Sequence, residues 1–272
     1  MTDLVSDFGI ELVKIEPGSF MMGSDFDTLA TIMQKIMMAD TTWAAEASGE
    51  WPRHPVTISR GFYLARFPVT NKILRAVMPE ESVAGIDQHP ALFSWERVES
   101  FLRAINAKSR DLNYRLPTEA EWEYCCKAGT GFEFLHGNDH DDHEGLIVDG
   151  TFMPEIESYF KAVGSSGKNG WGIFDMLGNV PEWCSDYYDP DYYLHSPAID
   201  PVNRILSESR VTRGGSLYFN EGYPAPYRAS ARCYIDCCED LDPGRDEDDE
   251  FEEEYQFLEQ AALRLIASEK QE

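Results

Sequence analysis

The chain has 272 residues and a net charge of −26, from 49 acidic and 23 basic side chains. A hydrophobic content of 43%, with 12% of the chain aromatic, excludes wholesale disorder, and the charge disfavours nucleic acid and anionic membrane as partners. No run approaches the ~20 apolar residues that span a bilayer, and "MTDLVSDFGIEL" shows no signal peptide, so a cytoplasmic location is expected.

In chain order, "IELVKIEPGSFMMGS" (10–24) alternates apolar residues around a Pro-Gly turn and predicts an early hairpin. Within 25–49, Leu29, Ile32, Met33, Ile36 and Met37 recur at helical spacing, predicting a short amphipathic helix whose Met-rich stripe packs into the core. "VTISRGFYLARFPVTN" (56–71) reads as strand ending in a Pro-containing turn. Ser94 then caps a helix, "WERVESFLRAINAKS", with Glu96 near its positive end. In "RLPTEAEWEYCCKAG", Thr118 and Glu121 form a capping box after Pro117, and Gly129 closes the helix.

Residues 130–170 are rich in Gly and Asp and read as loop. The histidines of "HGNDHDDHE" (His136, His140, His143) fall in that loop, where i, i+4 spacing loses its meaning, so a solvated acidic loop is favoured over a metal site. From Asp236 onward lie 15 acids and 3 bases, a net −12. After the run "DEDDEFEEE", residues Phe251, Tyr255, Leu258, Ala262 and Leu265 share one helical face, predicting a C-terminal amphipathic helix over 251–269. Six cysteines show no C-x-x-C spacing, and reduced thiols are expected.

The segments "EPGSFMMGS", "RHPVTISRGFYLARFPVTN", "SWERVESFLRAIN", "YRLPTEAEWEYCCKAG", "GIFDMLGNVPEWCSDYY", "RVTRGGS" and "YRASAR" stand in the order found in the formylglycine-generating enzyme, or sulfatase-modifying factor, family. The chain resembles that family over about residues 10–235. The resemblance implies an α+β class: an irregular C-type-lectin-like fold with few short strands, two main helices and much loop. To it the sequence adds the C-terminal helix. The expected organisation is one domain over 1–245, with a helical insertion at 25–49, and an acidic appendage over 246–272. The family closes on a strand containing Gly-Phe-Arg. Here "DPGRDEDDEFEEEYQF" takes its place, so that strand is expected to be altered or lost.

Fold does not carry function. The family's oxidase holds copper(I) on two cysteines in G-G-S-x-x-C-x-x-x-x-C-x-x-Y-R, and copper(I) requires soft thiolates. Gly214, Gly215, Ser216, Tyr227 and Arg228 align with that frame, but Phe219 and Pro224 stand at the cysteine positions. Copper and formylglycine synthesis are therefore not expected. Cys233, Cys237 and Cys238 follow at a spacing that matches no known site, and free thiols are the favoured reading; Cys184 reads as a buried small residue. Carried over from the family's calcium loop, Asp175, the Gly178 and Val180 carbonyls and Glu182 would hold a structural calcium ion. The equal alternative is that Asp175 and Glu182 bond the turn's amides.

Family members with such arginines use them to tie the core, which assigns Arg213, Arg228 and Arg232 a structural role. Tyr218, Phe219, Asn220, Tyr223 and Tyr227 form the candidate partner-binding surface, since aromatic side chains give contact area at low entropy cost. The favoured expectation is a non-catalytic protein-binding or scaffold module, in a bacterial multi-protein, defence or retroelement-associated system. The expected partner is a protein with a basic face, with helix 251–269 as a second contact. The alternative is a tailoring oxidase or metal-dependent enzyme using the same cleft with different chemistry.

Overall fold

The computed structural model describes residues 4–35, 44, 47–81, 85–135, 137–138, 160–215, 227–237 and 260–270. Twelve strands and four α-helices alternate along them. They are β1 (Leu4–Val5), β2 (Glu11–Ile15), β3 (Gly18–Met22), α1 (Phe26–Lys35), β4 (His54–Ile58), β5 (Phe62–Ala65), α2 (Asn71–Val77), β6 (Leu92–Phe93), α3 (Trp95–Lys108), β7 (Leu112–Arg115), α4 (Glu119–Lys127), β8 (Glu182–Tyr187), β9 (Ser209–Arg213), β10 (Cys233–Asp236), β11 (Ala261–Ala262) and β12 (Ile266–Glu269).

The strands form two five-stranded sheets, β1-β2-β5-β12-β7 and β10-β9-β8-β11-β6, and a two-stranded ribbon β3-β4. All pairings are antiparallel except β8 with β11. This is a mixed α and β architecture with short strands and long connections.

The Pro-Gly turn does not make a hairpin. β2 pairs with β5, in register Leu12↔Ala65 to Ile15↔Phe62, whereas β3 pairs with β4. Each strand has an alternating pattern, but the turn at Pro17-Gly18 redirects the chain into a different sheet instead of folding it back on itself.

α4 carries the expected capping box: Thr118 Oγ1 accepts from Glu121 N, and the Glu121 carboxylate accepts from Thr118 N at 2.8 Å. Its left-handed cap falls on Ala128 (φ 47°), with Gly129 at φ 80° just beyond. Ser94 stands at the N-cap of α3, but its side chain makes no cap bond there; its carbonyl accepts from Arg97 N instead. α2 follows the expected Pro-containing turn and was not predicted; it is started by Thr70, whose hydroxyl accepts from Ile73 N. In α1, Leu29 and Ile32 are buried against Ala47 and Phe134. Of the stripe's methionines and the loop histidines, the Met33 side chain, Ile36, Met37, His136, His140 and His143 lie outside the described residues.

The largest departure is at the C-terminus. Residues 261–269 are not helical: β11 inserts between β8 and β6, and β12 between β5 and β7, so this one segment contributes a strand to each five-stranded sheet. Ala261 through Ala267 are all buried. A helix would turn one face of that run to solvent, while a strand clasped on both sides buries both faces; tertiary pairing overrides the helix preference of Ala, Leu and Arg. The segment closes the core, so it is neither an appendage nor a free contact helix. Phe251, Tyr255 and Leu258 lie outside the described residues.

Candidate functional site

The frame singled out in the sequence lies on β9 and just after it. Antiparallel pairing sets Arg213 opposite Glu182 of β8 and Thr212 opposite Trp183. Beyond Arg213 the chain needs two glycines, because Gly214 and Gly215 both have positive φ (94° and 74°). A Cβ on Gly214 would come 3.1 Å from the Met176 carbonyl and 3.4 Å from the Trp122 ring. The close approach also lets Gly178 N donate to the Gly214 carbonyl at 2.7 Å.

The three arginines of the frame sit in one buried charge layer under α4. Glu119, Glu123 and Lys127 recur every fourth residue, so they share one face of that helix. Arg213 donates to Glu123 and to the carbonyls of Ala229 (3.0 Å), Ser230 (3.1 Å) and Ala231 (2.6 Å). Arg232 donates to Glu119 through Nε (2.7 Å) and Nη2 (3.0 Å), and its guanidinium lies 4.3 Å from the Tyr193 ring centroid. Arg228 grips Glu50 with two bonds of 2.7 and 2.6 Å, and Glu133 lies 3.7 Å away. All three are buried.

Burial pushes the Glu123 carboxyl up, but the charges of Lys127 and Arg213 outweigh it and leave it below its ordinary value. Burial likewise lowers Arg232, and Glu119 reverses that and holds it above the ordinary guanidinium value. A buried charge pair has this cost and this reward, and removing one member leaves the other stranded. The acidic partners Glu50, Glu119, Glu123 and Glu133 were missed in the sequence. Only the i, i+4 run Glu119-Glu123-Lys127 on one helix could have flagged them.

A fourth buried arginine completes the layer. Arg264, between β11 and β12, donates to Glu182 through Nε (3.1 and 2.8 Å) and Nη2 (2.6 Å), and also to the carbonyls of Ala65, Arg66 and Phe174. The chain that follows the acidic stretch, whose closing strand was expected to be altered or lost, thus does form strands, β11 and β12, with Arg264 between them.

That contact also decides what the calcium set can do. Glu182 gives one oxygen wholly to Arg264, and its other also accepts from Trp122 Nε1 at 2.8 Å. Asp175, at φ 55°, accepts from Ser166 N (2.8 Å) and from Gly164 N. The Gly178 carbonyl accepts from Val180 N at 2.8 Å. A dication held by all four would have to share Glu182 with a buried guanidinium, so the donor set does not fit calcium. Among the described residues no group of three or more His, Cys, Asp and Glu side chains is placed to hold a metal ion.

The thiols are similarly committed. Cys125, Cys126, Cys184 and Cys233 are buried. Burial pushes the Cys233 thiol up to about 12, and it pushes Cys125, Cys126 and Cys184 up as well. Thiolate, the nucleophile and soft ligand, is thus strongly disfavoured. Cys233 begins β10 and Cys237 follows its end, so the two are separated by about 13 Å along extended chain, too far for one ion. Cys238 lies outside the described residues, as do Tyr218, Phe219, Asn220, Tyr223 and Pro224. Tyr227 is half-buried, and burial raises its phenol. On either side of 216–226, Gly215 is buried and so, past Tyr227, is Arg228.

Comparison with known proteins agrees with this frame. A family model described as the sulfatase-modifying factor enzyme 1-like domain matches residues 9–237. The formylglycine-generating enzyme of Streptomyces coelicolor is 34% identical over 167 residues, covering 55% of this chain and 49% of that protein. The enzyme of the same name from Thermomonospora curvata is 36% identical over 167 residues, covering 57% and 53%. The chain thus spans about half the length of the curated relatives it matches. Among solved structures, PvdO from Pseudomonas aeruginosa superposes with a TM-score of 0.70 at 20% identity, over 98% of both chains. Treponema denticola variable protein 1 does so at 0.64 and 18%, over 98% of this chain and 99% of that one. At those identities the likeness shows the fold.

Proposed function

This chain belongs to the sulfatase-modifying factor family, and from that premise we propose that it is a member that binds a protein partner and does not carry out the family's oxidation. One observation carries the reading: Phe219 and Pro224 stand at the two positions where the oxidase requires thiolates. Neither side chain can ligate copper or act as a nucleophile. The four buried thiols, Cys125, Cys126, Cys184 and Cys233, do not compensate, because burial keeps them protonated. The arginines that would dress a reactive pocket are spent on Glu50, Glu119, Glu123 and Glu182.

On this reading the irregular fold, taken as C-type-lectin-like, is a rigid mount. The charge layer fixes Arg213 and Arg228, and the segment between them, with Tyr218, Phe219, Asn220 and Tyr223, presents aromatic surface to the partner. The net charge of −26 favours a partner with a basic face.

Two measurements test it. Copper(I) competition against a chromogenic chelator should show no stoichiometric retention by the native chain, and a cysteine peptide from a sulfatase should stay unconverted. Copper retention together with peptide oxidation would overturn the reading. In parallel, partners captured by crosslinking should be lost when Tyr218, Phe219 and Tyr223 are changed to Ala. Partners that persist unchanged would remove the segment from the interface.

A further inference from the structure

The opposite end of the β8–β9 ladder opens onto a cleft of about 940 Å³. There Arg210 faces Tyr187, three residues along β9 from the Arg213–Glu182 register that leads to Gly214. The cleft's apolar lining comes from Phe62, Val98, Leu102, Leu116, Val202 and Ile266. Its size falls within the range of small-molecule sites, which pair an apolar lining with a few placed polar groups.

The polar groups here are arginines. Arg210 contacts two rings, its guanidinium carbon 4.1 Å from the Trp95 centroid and 3.3 Å from that of Tyr187. It donates to the Ser185 carbonyl at 2.7 Å and forms no ion pair among the described residues, although Asp186 and Glu99 act on it at longer range. Arg60 and Arg204 line the same cleft, are exposed, and form no ion pair among the described residues either. That is unusual for this molecule. Of the 14 described arginines, 10 form an ion pair with a carboxylate. Three of the other four gather on this cleft, in a chain with twice as many acids as bases.

The carboxylates beside them are mostly engaged. Asp200 accepts from Ser59 N (2.7 Å) and Ser59 Oγ, and Glu121 accepts two 2.7 Å bonds from Arg115. Glu99 is exposed on the α3 side of the cleft.

We propose that this cleft is a binding site for a small amphipathic anion: an apolar or aromatic body carrying a carboxylate, sulfonate or phosphate group. The body lies on the apolar lining and the Trp95–Arg210–Tyr187 cluster, and Arg60 and Arg204 take the anionic group. Guanidinium suits that role because it stays charged and presents several donors to an oxyanion. The cleft lies at the end of the β8–β9 ladder away from Gly214, and the proposal stands or falls independently of the function proposed above.

The test uses two dyes of similar body, anionic 1-anilinonaphthalene-8-sulfonate and neutral N-phenyl-1-naphthylamine, titrated by fluorescence into the full chain. The expected result is saturable one-site binding of the anionic dye, weakened about tenfold or more in the Arg60→Ala/Arg204→Ala variant. The neutral dye should bind both proteins equally. Failure of the anionic dye to saturate, equal binding by wild type and variant, or parallel loss of the neutral dye would each overturn the proposal. If the double variant loses its thermal unfolding transition, Arg60→Gln and Arg204→Gln taken singly give the same comparison.

Discussion

The two ends of the β8–β9 ladder use the same side chain in opposite ways. At the Gly214 end, Arg213, Arg228, Arg232 and Arg264 are fully enclosed and each is matched to a glutamate. At the other end, Arg60 and Arg204 are exposed, Arg210 contacts two rings, and none forms an ion pair among the described residues. In the first region charge is consumed by folding; in the second it is left over. An arginine's role is therefore read from what stands opposite it: those inside the family frame are enclosed with glutamates, and Arg60, Arg204 and Arg210 on the cleft are not.

The contrast can be broken most severely by deleting residues 260–272. This removes Arg264 from the layer and a strand from each sheet. Burial of Leu263, Leu265 and Ile266 alone is worth about 5–9 kcal/mol, comparable to the whole stability of a domain. The truncated chain should show no cooperative urea transition by circular dichroism. A normal transition would mean that the segment is an appendage after all.

Next in size, Arg213→Ala should cost about 3–5 kcal/mol, because it leaves Glu123 with Lys127 as its one cation and unpairs the buried carbonyls of Ala229, Ser230 and Ala231. Urea midpoints measure it, and a loss below about 1 kcal/mol would place the layer among weak surface pairs.

Asp186 sharpens the boundary between the two regions. It accepts from Glu119 N (2.9 Å) on the layer side and from Asn203 N (2.8 Å) on the cleft side. Burial, and then the charge of Glu119, push its carboxyl up to about 7 from the ordinary 3.8. The native state therefore holds this proton more tightly than the unfolded chain does. The resulting stabilisation is full below about pH 4 and is lost as pH rises through about 7, an effect on the order of a few kcal/mol. The stability of wild type relative to Asp186→Asn should fall over that window, and a flat difference would refute it.

The smallest effect is expected in the cleft. Arg60→Ala and Arg204→Ala should each shift stability by no more than about 0.5 kcal/mol. A larger loss in thermal melts would show that these arginines are part of the fold.

Several parts of the fold were legible locally. The capping box of α4 needs only Thr118 and Glu121, three residues apart, and the strands β4 and β5 follow from alternation over a few positions. The early hairpin failed because alternation shows that Glu11–Ile15 and Gly18–Met22 are strands but not which strands they pair with. The C-terminal helix failed for a related reason. A run buried on all sides has no polar face to mark its period, and Ala262 and Leu265 fit a helical stripe as well as a clasped strand.

By itself the sequence determined the family frame, the loss of both thiol positions at Phe219 and Pro224, and the acidic balance, because each is a matter of which residues are present and in what order. Only the tertiary structure decided which charges are spent. Glu50 and Arg228 lie 178 positions apart, and Glu182 and Arg264 lie 82 apart, so no local window contains both members of either pair. The same packing that closes those pairs leaves Arg60, Arg204 and Arg210 on a cleft with none, since burial forces a charge to find a partner and exposure does not.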